Sequence, residues 1–287
     1  MFRIRSEDVV DMLTLRLFGG GNDSGYTLGA LALGARLKRM GEKIWPQIDL
    51  VLLYTNDIPE RTLRILGHLW DLRLVEAVDA ADRLFNTVGT RFDKAFTKLH
   101  ALSLMEYEKV LALDLGIAVT GRLDHLFQMN PPVALHRRTS GNKHGAPIDG
   151  RRFFRGEGPN DYPWEWTQGS GINAGVLLLQ PDEALYKYAM RQVQMKDHPA
   201  HVRGSGPEQD YLSRLLAPLW THLGVAYNYQ PHRVFHALED VLELPRDSEQ
   251  DYPERLQLST EKYVLFIIVE IPKCGTQTYT ICALLNT

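Results

Sequence analysis

Residues 96–127 read FTKLHALSLMEYEKVLALDLGIAVTGRLDHLF, and the patterns inside this stretch decide the fold class. Asp93 stands where a helix would open, and Ala95, Leu99 and Leu102 recur at the spacing that keeps one side of a helix apolar. Residues 110–113 then form a short continuous apolar run that stops at Asp114, the form of a strand buried on both faces. A carboxylate directly after such a run is costly without a partner. Asp114 is therefore expected to serve a ligand or a hydrogen-bond network.

The same alternation continues outward in both directions. Residues 12–18 form an apolar run, a glycine-rich turn follows, and Leu28, Leu31, Ala32 and Ala35 come at helical spacing. Residues 48–54 read as a second buried strand. After it, Asp57 is placed as an N-cap, Pro59 in the first turn, and Leu63 and Leu66 on the inner face of the helix. Downstream, residues 174–179 read as a strand and Pro181 starts a helix whose Leu185, Tyr188 and Ala189 face the core. A further helix follows Pro207, with Leu212, Leu215 and Leu216 buried. Strands alternating with helices predict an α/β fold, a mostly parallel sheet with helices on both faces. One domain is expected over residues 1–262, followed by an atypical tail at 263–287 whose residues 263–271 read as a strand before irregular chain.

Composition narrows the function classes. The 287 residues are 44% hydrophobic and 23% charged, ordinary for a chain with a full core. A formal net charge of -3 leaves no basic excess for a nucleic-acid backbone. Residues 1–10 lack the apolar stretch of a signal peptide. The longest apolar run, 263–271, contains Glu270 and falls far short of the roughly 20 residues a membrane span needs. Cys274 and Cys282 form neither a disulfide framework nor a zinc pattern. A cytoplasmic protein that binds neither membrane nor nucleic acid is expected.

In open α/β sheets ligands sit outside the carboxyl ends of the strands, which directs attention to residues 19–26, Asp114 and Asn173. Gly19, Gly21 and Gly25 imitate a dinucleotide fingerprint. They equally suit a turn that presents the Tyr26 ring to a base, or a tight turn with no ligand. Residues 136–171 form a long polar stretch, either a cover over substrate or a surface excursion. Its Arg137, Arg138, Lys143, Arg151 and Arg152 are candidates to neutralise an anionic leaving group. His198 and His201 straddle Pro199 and read as surface residues rather than a metal pair.

Five stretches, in order, resemble the glycogenin-like family of retaining glycosyltransferases (family 8, GT-A fold). GNDSGYTLGALALGARLKRMG (21–41) is similar to the family's opening turn and helix, and DLVLLYTNDIPERTLRIL (49–66) to its second strand and helix. Residues 96–127 resemble its most diagnostic part: a T-K-L-H helix, a Y-x-K-V strand and the metal-binding D-x-D. INAGVLLLQP (172–181) and GPEQDYL (206–212) resemble its N-S-G-V strand and its G-G-D-Q helix start. The resemblance implies hexose transfer from a UDP-sugar to an acceptor, with a divalent cation, manganese or magnesium, holding the diphosphate. By matching position, Tyr26 would stack on uracil, Lys98 would contact phosphates or sugar, and Asp114 would reach ribose and metal. Asn173 would face the sugar, and Glu208 and Gln209 would stand beside its anomeric carbon.

Each of these residues also has a plainer reading. Lys98 lies off the apolar stripe and suits a solvated helix lysine. Glu208 and Gln209 suit the first turn of any helix, and Asn173 suits a strand end. Two departures from the family bear on the metal. The D-x-D reads Asp114-Leu115-Gly116, without its second carboxylate, and residues 258–279 lack the family's C-terminal metal histidine. A catalytically silent member that binds a nucleotide sugar or a protein is the alternative these departures favour. A nicotinamide-dependent oxidoreductase, with Asp57 as ribose partner, is a third reading.

Overall fold

Runs of consecutive apolar residues can be covered on both faces, and in the computed structural model they pair into one seven-stranded sheet. The structure describes residues 11–17, 24–44, 48–78, 94–137, 143–148, 171–195, 207–217 and 219–228. The strands are β1 (Asp11–Leu17), β2 (Ile48–Tyr54), β3 (Asp71–Leu74), β4 (Lys109–Leu113), β5 (Val133–His136), β6 (Ile172–Leu179) and β7 (Thr221–His222), in the order β3-β2-β1-β4-β6-β5-β7. β6 runs antiparallel to both β4 and β5, and every other pairing is parallel. The expected mostly parallel sheet is present, with one strand reversed.

Alternate residues of the strands feed two cores. Val110 and Ala112 of β4 join a layer with Phe96, Leu99, Tyr211 and Leu212, while Leu111 and Leu113 join Leu33, Leu37, Leu66 and Trp70 on the opposite face. The helices α1 (Ser24–Ile44) and α2 (Glu60–Leu66) thus cover one face. The other is covered by α3 (Glu183–Gln194), α4 (Pro207–Leu215) and a 3-10 helix, Ala95–Ser103. Among the described residues no helix is long and apolar enough to cross a membrane.

Several sequence expectations change here. α1 starts at Ser24, so Gly25 and Tyr26 lie in its first turn rather than in a preceding loop. Its inner face is Ala30, Leu33, Leu37 and Met40, whereas Leu28 is 61% exposed and Ala32 and Ala35 are exposed. The cause is close packing at two glycines. A Cβ on Gly29 would stand 2.5 Å from the Leu115 carbonyl oxygen, and one on Gly34 would collide with the Trp70 indole. Trp70 Nε1 donates to the Ala30 carbonyl at 3.0 Å, and Arg36 donates to the carbonyls of Val119 (2.9 Å) and Thr120 (2.7 Å). These contacts pin α1 to the chain that leaves β4.

Asp57 does not cap α2, because Pro59 occupies the N-cap position and the Asp57 carboxylate is engaged elsewhere. The Ala95–Ser103 segment is a 3-10 helix whose residues 95–102 are all buried, so no single apolar stripe describes it. Asp182 caps α3 by accepting from Leu185 N at 2.8 Å. Ala189 and Val193 face inward, but Tyr188 is 47% exposed, its hydroxyl accepting from Gln192 Nε2. Gly19, Gly21, Asp93, Arg138, Arg151, Arg152, His198, His201, both cysteines and the strand expected at 263–271 lie outside the described residues, as does most of the stretch 136–171.

The β5–β7 pairing carries a pH-sensitive group. His222 is buried, and its Nδ1 accepts from the His136 backbone N–H at 3.3 Å, which requires that nitrogen to be unprotonated. Burial, with His136 and His144 nearby, pushes its pKa down to about 4. Between that value and the ordinary 6.5, the unfolded chain binds a proton that the native state refuses. This stability contribution is complete above the ordinary value and is lost as pH falls towards the folded one, about 3 kcal/mol over the window. Urea midpoints measured from pH 7 to 4 should therefore fall more steeply in the parent than in His222→Asn, which keeps an acceptor but does not titrate. Parallel slopes would refute this role.

Candidate active site

Strand polarity locates the site. β1, β2 and β4 end at one edge of the sheet, and the reversed direction of β6 brings its first residues to that same edge. Asp114 N donates to the Gly175 carbonyl at 2.9 Å, so the end of β4 and the start of β6 are stitched together there. Asp114 itself is half exposed, its side chain at 53%.

Lys98 reaches this junction from the 3-10 helix. Its ammonium is buried, at 7%, and donates to Asp114 Oδ1 at 2.6 Å and to the Ala174 carbonyl at 2.7 Å. A buried cation persists only when its donors are used. The solvated-lysine reading is therefore corrected: Lys98 is a buried positive charge at the junction of β4 and β6. Flanking residues of the T-K-L-H stretch hold the helix in place. Thr97 Oγ1 accepts from Val78 N at 2.9 Å, while His100 Nε2 lies 2.9 Å from the Glu76 carbonyl and its Nδ1 3.0 Å from the Tyr186 hydroxyl.

Asn173 follows the same logic of used and unused groups. Its Oδ1 accepts from Gly175 N and from Asn228 Nδ2, both at 2.8 Å. Two N–H groups on one oxygen orient the amide, so what Asn173 has left to present is its NH2 donor. Glycine at 175 leaves room for the two amides, since a Cβ there would lie a tight 3.0 Å from Asn173 Oδ1 and 3.3 Å from Asn228 Oδ1. Asn228 is buried and was not anticipated from the sequence. β7 is only two residues long, so no apolar run announces the polar residue beyond it.

Gln209 joins the cluster through its Oε1, which accepts from Ala174 N at 3.3 Å. The Ala174 backbone is thus held by Lys98 at its carbonyl and by Gln209 at its N–H. Glu208, partly buried, precedes Gln209 in the first turn of α4. That helix is locked to β6 by Ser213 Oγ, which donates to the Gln209 carbonyl at 2.6 Å and accepts from Ile172 N at 2.8 Å. It is also held by a buried ion pair, Arg137 to Asp210 at 2.7 Å, with side chains 5% and 1% exposed. Arg137 is therefore a structural partner of α4 and not a charge available to a leaving diphosphate.

Tyr26 lies one turn before Gly29, on the end of α1 that packs against Leu115, and is 36% exposed. At the carboxyl end of β2, the Thr55 hydroxyl donates to Asp57 Oδ1 and Lys94 Nζ to Asp57 Oδ2 at 3.0 Å. Burial raises the Asp57 pKa, but these hydrogen bonds outweigh it and hold the carboxyl below its ordinary value. Asp57 is an ionised, anchored group rather than a free ribose acceptor. Among the described residues, the donors around Asp114 do not by themselves make a site for a hard dication. Position 116 is glycine and Asp114 Oδ1 is taken by Lys98. Among the described residues no three His, Cys, Asp or Glu side chains converge on a point.

No family profile matches the chain. The uncharacterised protein R707 of Acanthamoeba polyphaga mimivirus is 31% identical over 216 residues, 73% of this chain and 70% of that protein. Human glycogenin-1 is 26% identical over 227 residues, 76% of this chain and 53% of glycogenin-1. Among solved structures, the glycosyltransferase GlyE of Streptococcus pneumoniae superposes with a TM-score of 0.50 at 17% identity, covering 91% of this chain and 54% of that one. The chain thus spans about half the length of glycogenin-1 and of GlyE. Sheet order and these likenesses define the GT-A glycosyltransferase fold. Within it, the chain is similar in sequence to the glycogenin-like glycosyltransferases.

Proposed function

We propose that the chain transfers a hexose from a UDP-sugar to an acceptor with retention of configuration. The observation that carries this reading is the Lys98 bridge between Asp114 and the Ala174 carbonyl, closed from the other side by Gln209. In this reading the Lys98 ammonium supplies positive charge to a departing diphosphate, and charge held ready in this way supplies much of the rate enhancement in many transfer reactions. The Asn173 amide presents donors to sugar oxygens, and Tyr26 offers a flat ring to uracil. The bond between the anomeric carbon and the phosphate oxygen breaks, and its electron pair leaves on UDP. Retention then follows from a glycosyl ester on Glu208 that the acceptor displaces, or from attack on the face the UDP vacates. The described residues do not by themselves make a site for a divalent cation, and no step is routed through one.

A second reading, a nucleotide-sugar- or protein-binding module without turnover, is favoured by Gly116 in place of a carboxylate. Product formation separates the two. For the oxidoreductase reading, Asp57 already accepts from Thr55 and Lys94. Thermal-shift titration tests nucleotide recognition directly. UDP, UDP-glucose and UDP-galactose should raise the melting temperature and NADH should not, with about 2.7 kcal/mol of stabilisation at a hundredfold excess over Kd. Tyr26→Ala should weaken UDP by about tenfold, the worth of one lost stacking contact. Equal UDP affinity in variant and parent would remove Tyr26 from the site.

A further inference from the structure

On the β7 side of the same edge, three segments far apart in sequence bring aromatic and imidazole rings together. His125 comes from the 3-10 helix Asp124–Gln128 and Tyr227 from the 3-10 helix Val225–Tyr227. His144 comes from a segment that runs antiparallel beside β7, with Gly145 N donating to the His222 carbonyl and His222 N to the Ala146 carbonyl. His144 and Tyr227 stack with ring centroids 4.9 Å apart and planes at 28°. The Tyr227 hydroxyl lies 2.9 Å from His125 Nε2. His144 Nδ1 accepts from Gly224 N at 3.1 Å, which leaves the proton of the neutral ring on Nε2. A Cβ on Gly224 would come within 3.3 Å of His144 Cβ, so glycine there lets the ring seat.

This surface adjoins the Asn173 end of the candidate site. Tyr227 immediately precedes Asn228, the residue that orients Asn173. His144 is exposed, and His125 and Tyr227 are partly so. Flat rings edged by neutral N–H and O–H groups suit a sugar, whose C–H face packs on the ring while its hydroxyls meet the edges. Charge argues against an anion. Partial enclosure by neighbouring atoms, and for the surface-exposed His144 also the neighbouring His125, holds both imidazoles below the ordinary histidine value.

We propose that His144, Tyr227 and His125 form an acceptor subsite that takes a neutral pyranose next to Asn173. The proposal rests on the glycosyl-transfer reading of the adjacent candidate site. Saturation-transfer NMR with methyl β-D-glucopyranoside and methyl β-D-galactopyranoside, in the presence of UDP, tests it. At least one pyranoside should receive saturation from the parent, the signal should fall about tenfold in Tyr227→Ala and in His144→Ala, and inorganic phosphate should not displace it. UDP affinity by calorimetry should match in all three proteins. If Tyr227→Ala does not fold, His144→Ala at its exposed position gives the result. No signal from either pyranoside, equal signals in parent and His144→Ala, or displacement by phosphate would overturn the subsite. Failure of the parent to bind UDP would instead overturn the reading of that adjacent site, so the two failures are distinguishable.

Discussion

Lys98→Met should lower glycosyl transfer by about 10²–10³ while leaving a folded protein. The methionine fills most of the lysine's volume but removes the charge that the buried ammonium holds against Asp114 and the Ala174 carbonyl. Losing one preorganised electrostatic partner of a transition state typically lowers turnover by that factor. The effect on stability should be smaller, about 1–3 kcal/mol, from the Ala174 carbonyl left short of a donor. Asp114, half exposed, is resolvated. The check is turnover at saturating UDP-sugar together with urea unfolding. Asp114→Asn serves as a companion because it keeps an oxygen for Lys98 but loses the charge, so it should depress turnover more than stability. Near-parental turnover in Lys98→Met would make Lys98 a core group without a part in transfer.

Asp210→Ala should destabilise the fold by about 3–5 kcal/mol, because it removes the carboxylate paired with the Arg137 guanidinium in a site where both side chains are almost fully buried. Such a loss is a large part of the total stability of a domain. The double variant Arg137→Met/Asp210→Leu should recover most of it, since an apolar pair has no charge to desolvate. Chemical denaturation of the two variants measures the difference. Because the pair anchors the helix that carries Glu208 and Gln209, the single variant should also lose transfer at temperatures where it remains folded. A loss below about 1 kcal/mol in Asp210→Ala would show that water reaches the guanidinium and that the pair is not the anchor of α4.

The sheet was legible where physics is local. The stretch 48–54, apolar but for Asp49, reads as a buried strand and 174–179 as a strand, and both fall within observed strands. The end of such a run singled out Asp114, and the junction before another singled out Asn173. What the sequence hid depends on contacts between distant segments. Apolar residues line several sides of α1, and the choice among them is made by Gly29 and Gly34 approaching Leu115 and Trp70. No periodicity separates a buried lysine from a solvated one when the whole Ala95–Ser103 segment is enclosed. Arg137 reads as a loop charge in the sequence, and only the fold sets it against Asp210. Asn228 follows a strand too short to leave a pattern.

Proton NMR of the anomeric region during incubation with UDP-hexoses tests glycosyl transfer with retention most directly. UDP should accumulate, and the first sugar product to appear, read before mutarotation, should carry the α configuration of the donor. A folded, UDP-binding protein that consumes none of the UDP-hexoses offered, or whose first product is the β anomer, would contradict it.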